Sequence, residues 1–109
     1  MKLANFAMSA TDWSRVEPTE HHGERGTAYW RTQHIDDIRI RLVEYTPGYL
    51  ADHWCSKGHI VFCLSGELDT EVQGGQGFKL TAGMSYQVAD DAEPHRSSTV
   101  VGAKLFIVD

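Results

Sequence analysis

From Gly26 onward, apolar and polar positions alternate with a period of two, broken every eight to twelve residues by turn-forming clusters. Thr27-Ala28-Tyr29-Trp30-Arg31-Thr32 is aromatic and β-branched, and Asp36-Asp37 marks a turn. Ile38 to Tyr45 then alternates strictly, which places Ile38, Ile40, Leu42 and Glu44 on one face and turns Arg39 and Arg41 toward solvent or a neighbouring subunit. Further strands are predicted at His59–Leu64, Glu67–Val72, Phe78–Leu80, Met84–Val88, His95–Val101 and Lys104–Val108, separated by breaks such as Gly74-Gly75-Gln76-Gly77 and Ala82-Gly83. No segment carries a helical period, and there is no internal repeat. Short strands at this spacing predict one small all-β barrel over residues 27–109. Residues 1–26 read as a polar, irregular N-terminal arm, with Phe6 and Trp13 as anchors onto the barrel or a neighbouring copy.

Within this pattern, Gly48 to Gly66 concentrates the chemistry: His53, Cys55 and His59 fall inside seven residues. If both flanks are strands, His53 and Cys55 share one face, with Trp54 on the other. A turn at Ser56-Lys57-Gly58 then returns His59, Val61 and Cys63 on a common face. Such a hairpin brings two imidazoles and a thiol together, the donor types of a transition-metal site. Histidines that merely pack or sit at the surface are the plainer alternative.

The length of 109 residues suits a single domain, and 41% apolar with 23% charged residues is ordinary globular composition. The net charge of −5 and scattered Lys and Arg argue against nucleic acid and anionic membranes as partners. Met1–Met8 has no apolar run long enough for a signal sequence, and no stretch approaches membrane-spanning length, so a cytoplasmic location is expected. On the hairpin reading, Cys55 and Cys63 lie on the order of 10 Å apart, beyond the reach of about 7 Å for a disulfide. Both are expected as thiols, Cys55 among the donors and Cys63 in the core. His21-His22 reads as a solvated loop pair.

The spacing of Gly48, His53, Cys55, His59 and Gly66 resembles the first cupin motif, and Gly83 with His95 resembles the second. In the second motif Ala89, Asp91 and Thr99 replace the usual Pro, Gly and Asn, and the gap before His95 is one residue longer. The run Ala51 to His59 is also similar to a small bacterial group of DHCW-motif cupin fold proteins, although the order here is Asp-His-Trp-Cys. The resemblance implies a double-stranded β-helix, or jelly-roll, with a mononuclear metal near the barrel mouth. On this resemblance His53 takes the first ligand place of the first motif, Cys55 the place of that motif's second histidine and His59 that of its glutamate, while His95 is the distal ligand from the second motif.

Three imidazoles and a thiol are softer than the usual cupin set, and favour zinc, then nickel or iron, as one divalent transition metal. If all four bind a tetrahedral ion, the site is closed and structural; if Cys55 stands off, an open position remains for catalysis. Tyr86, Trp30 and Tyr49 are candidate lining residues, and Glu44 is a candidate acid or base if its face is interior. The leading expectation is a small metal-binding cupin that holds a small polar metabolite, its reaction unassigned. A non-catalytic metal or redox sensor with a closed site and a metal-free interaction barrel are the alternatives, and a homodimer is compatible with each.

Overall fold

The computed structural model describes residues 3–109. A short 3-10 turn at Trp13–Arg15 precedes eight strands: β1 Thr19–His22, β2 Thr27–Ile35, β3 Ile38–Tyr45, β4 His59–Val72, β5 Phe78–Thr81, β6 Ser85–Val88, β7 His95–Ser98 and β8 Ala103–Val108. All strand pairings are antiparallel, in the path β1-β2-β3-β8-β4-β5, with β6 and β7 also on β4. The fold is all-β, a jelly-roll barrel.

β4 is the shared strand. Its first half pairs with β8 and β6, and its second half with β5 and β7, so it bends from one sheet into the other. The sequence pattern divided it into two strands at Ser65-Gly66; instead, one 14-residue strand runs through a bulge between Cys63 and Ser65. The extra residue reverses the side-chain parity, so Val61 and Cys63 point inward before it, and Leu68 and Thr70 after it. Gly66 makes the crossing feasible: its φ is +76°, and a Cβ there would run into the Gly102 carbonyl oxygen. Val61, Cys63 and Leu68 meet Val43, Leu80, Tyr86, Leu105 and Ile107 in one core. Ile60, Phe62 and Leu64 fall on the outer face of β4 and remain partly exposed.

The inner face of β3 is the reverse of the one expected. Arg41 and Val43 are buried, whereas Glu44 is exposed and sits outside beside Lys104. Hydrophobicity misleads here because the outer face is also covered. Trp13 packs edge-on against Phe106, the cross-strand partner of Leu42, and Arg31 Nε donates to the Val16 carbonyl. Apolar residues therefore occupy both faces, and β3 carries its charged pair into the barrel mouth. The segment expected as an irregular arm contributes β1, which pairs with β2 and stacks His21 on Trp30 at a centroid distance of 3.8 Å.

Candidate metal centre

Strand parity places the mouth residues. His59 starts β4 two positions before inward Val61, and Asp109 follows inward Leu105 and Ile107 beyond β8. Arg39 and Asp109 exchange both backbone hydrogen bonds, at 2.6 and 2.9 Å, which carries Asp109 alongside β3. His95 opens β7 on the facing sheet. Residues 51–58 form no paired hairpin strand; a single bridge holds Cys55, whose N–H donates to the His95 carbonyl at 2.8 Å while its carbonyl accepts from His95 N–H at 3.0 Å.

The result is a cluster of Cys55, His59 and His95, with one donor atom of each within 4.8 Å of the others. Donor atoms about 2.0–2.3 Å from a tetrahedral ion are roughly 3.3–3.8 Å apart, so these three come within side-chain adjustment of sharing one. His53 lies outside this cluster. Its side chain is 75% exposed at the cavity rim, and its ring bonds the neighbouring Asp52 at 2.6 Å, which holds that carboxyl below its usual range.

Tautomers follow from the partners. His95 Nδ1 lies 2.8 Å from the Glu93 carbonyl oxygen, an acceptor, so this nitrogen carries the proton and Nε2 is left with a lone pair. His59 Nδ1 is buried without a hydrogen-bond partner and faces the Asp109 carboxylate at 3.7 Å, which favours a proton there too. The Tyr86 hydroxyl stands 3.0 Å from His59 Nε2, and the two Nε2 atoms approach to 2.8 Å. The two Nε2 atoms thus meet beside the Cys55 thiol. Burial, together with His59, pushes His95 below the ordinary histidine range despite the Glu93 contact, which keeps it in the neutral form a metal ligand needs.

Behind the donors stands a charged wall that the sequence pattern had turned outward. Arg39 grips Asp109 with Nε on Oδ1 and Nη2 on Oδ2, both at 2.9 Å, and Arg41 Nη2 reaches Oδ2 at 3.1 Å. Burial raises the Asp109 carboxyl, but the His59 imidazole and the two guanidiniums outweigh it and hold it well below the usual carboxylate range. The Arg41 guanidinium lies over Trp30, 4.4 Å from the ring centroid. Parity with Leu105 and Ile107 was the available signal for Asp109.

These groups enclose a cavity of about 140 Å³. Trp30, Tyr49 and Tyr86 line it; Glu44 does not. Burial pushes the Tyr49 and Tyr86 phenols up, so both are protonated donors at neutral pH. Two further cavities, of about 770 and 300 Å³, share His59 and Asp109 or Tyr86 and His95 with it. Cys55 and Cys63 are both free thiols. Among the described residues, no helix is long and apolar enough to cross a membrane.

Comparison with solved structures matches this architecture at high overlap and low identity. An ectoine synthase from P. lautus superposes with a TM-score of 0.75 at 19% identity, over 93% of this chain and 76% of that one. A predicted oxalate decarboxylase from Thermotoga maritima gives 0.78 at 15%, over 92% and 96%. The cupin domain of Schizosaccharomyces pombe Cnp3 gives 0.70 at 12%, over 91% and 71%. The chain has the cupin fold. No protein-family model and no curated protein matches its sequence. On this cupin barrel, the Cys/His/His group at the mouth fits a metal-binding centre.

Proposed function

We propose that this cupin binds one divalent transition metal through Cys55, His59 and His95 and uses an open coordination position to act on a small polar metabolite. The observation that carries this reading is the meeting of the two imidazole Nε2 atoms at 2.8 Å beside the Cys55 thiol, in one cluster at the barrel mouth. A divalent ion would be held there by the Nε2 lone pairs of His59 and His95 and the thiolate of Cys55. Zinc suits one soft and two intermediate donors, with nickel or iron next. A zinc ion so bound acts as a Lewis acid and brings the pKa of a coordinated water to about 7.

The surrounding residues have distinct work. Glu93 and Asp109 orient the two imidazoles, the protonated Tyr86 hydroxyl is available to donate toward a bound oxygen, and the stacked pair Tyr45–Tyr49 walls the cavity at a 4.2 Å centroid distance. A three-donor site favours hydrolysis, isomerisation or oxygenation over the closed structural alternative, which needs His53 as a fourth ligand. Two of the three structural neighbours described above bear enzyme names, a synthase and a predicted decarboxylase, which supports the same direction. The free thiols suit a reducing, cytoplasmic setting.

Cobalt substitution tests the reading. Untagged protein is expected to take one Co²⁺ per chain and to show a thiolate-to-cobalt charge-transfer band that Cys55→Ala abolishes, with azide altering the visible spectrum through the open position. No stoichiometric cobalt, or a spectrum indifferent to azide, overturns it.

A further inference from the structure

The metal reading leaves Arg41 unexplained. Its side chain is 93% buried, yet it makes one hydrogen bond, to Asp109, although a guanidinium carries five N–H donors. Its Nε is fully sequestered with no acceptor. Burying an unmatched cation is costly, and such groups in a folded protein call for a partner. Asp109 does not supply the balance, because Arg39 already engages both of its oxygens. Asp109 is the only acidic residue among those lining the cavity, against Arg39, Arg41 and Arg96. Arg96 is neutralised from outside by Glu71 at 3.0 Å. Arg41 therefore keeps unused N–H donors, its Nε among them, in the wall of the same cavity that the donor cluster faces.

We propose that Arg41 anchors the carboxylate of a small anionic substrate whose other polar end reaches the metal position at Cys55, His59 and His95. This rests on the metal reading for its second contact only. Trp30 supports the guanidinium from its face, leaving the edge of the fork for in-plane oxygens, the geometry in which arginine binds carboxylates. The cavity limits the ligand. About 140 Å³ between Arg41 and the donor cluster is the scale of a two- or three-carbon acid.

The test compares glycolate with its uncharged isostere glycolamide, by calorimetry on metal-free and zinc-loaded protein, while the Arg41 Nε–Hε resonance is followed by NMR. Glycolate is expected to bind at least about tenfold more tightly than glycolamide in both forms, the margin of one charge-assisted contact. It is also expected to shift the Arg41 resonance, and folded Arg41→Gln should lose the preference. Equal binding of the two compounds, an unmoved Arg41 resonance, or a preserved preference in Arg41→Gln overturns the anchor. The wild-type resonance decides the matter if that variant does not fold. Carboxylate preference without stoichiometric zinc would remove the metal reading and leave the anchor standing; zinc without the preference would do the reverse.

Discussion

His53 and His59 are six residues apart in the same donor-rich stretch, and they have opposite environments. His59 begins β4, where its pairing with Val88 of β6 fixes which way the side chain points, and that side chain is 8% exposed among Tyr86, His95 and Asp109. His53 lies in the segment 51–58, which forms no strand, and its exposed ring turns to Asp52. Between them, Cys55 is aimed into the site by one pair of backbone bonds to His95. A donor's residue type and spacing say that it can bind; whether its own backbone is paired decides whether it points to the others.

Substitutions should separate the strand-held positions from the loop-held ones. The largest effect belongs to His59→Ala and His95→Ala, each expected to weaken zinc binding by more than about 100-fold, the upper range for loss of an outer partner alone. Competition against a chelator measures this. Next comes Asp109→Asn, which strands Arg39 and Arg41 and is expected to cost about 3 kcal/mol in urea unfolding of the metal-free protein. Its pH dependence carries a sign. Because the folded Asp109 carboxyl sits below its unfolded value near 3.8, its contribution is present above about pH 4 and is lost as pH falls below that. The variant should lack this part of the acid transition. Cys55→Ala, on the loop, is expected to keep metal at about 10–100-fold lower affinity and to shift preference from zinc toward nickel. The smallest effect is His53→Ala, within about threefold in zinc affinity and 0.5 kcal/mol in stability, as for an ordinary surface change. A large loss in His53→Ala would erase the contrast between loop and strand.

The strands were legible wherever turns punctuate them: Asp36-Asp37, the Gly74–Gly77 cluster and Ala82-Gly83 all fall at observed breaks. His59 was legible through parity with Val61 and Cys63, and His95 through its place after a second glycine turn. Alternation could not reveal the bulge after Cys63, because one inserted residue reverses parity without changing the composition on either side. Nor could it orient β3, where Ile40 and Leu42 are sheltered on the outer face beneath the covering around Trp13 and Phe106, while Arg41 is buried inside by pairing with Asp109 and Trp30. Asp109 is far from Arg39 in sequence, and only the β3–β8 register brings them together.

The zinc-loaded crystal, mapped by anomalous scattering at the zinc edge, is the decisive measurement. A single peak bonded to Cys55 Sγ and to the Nε2 atoms of His59 and His95, with His53 unbonded, is the expected result. A peak held by His53, or none within reach of both His59 and His95, would contradict a three-donor centre.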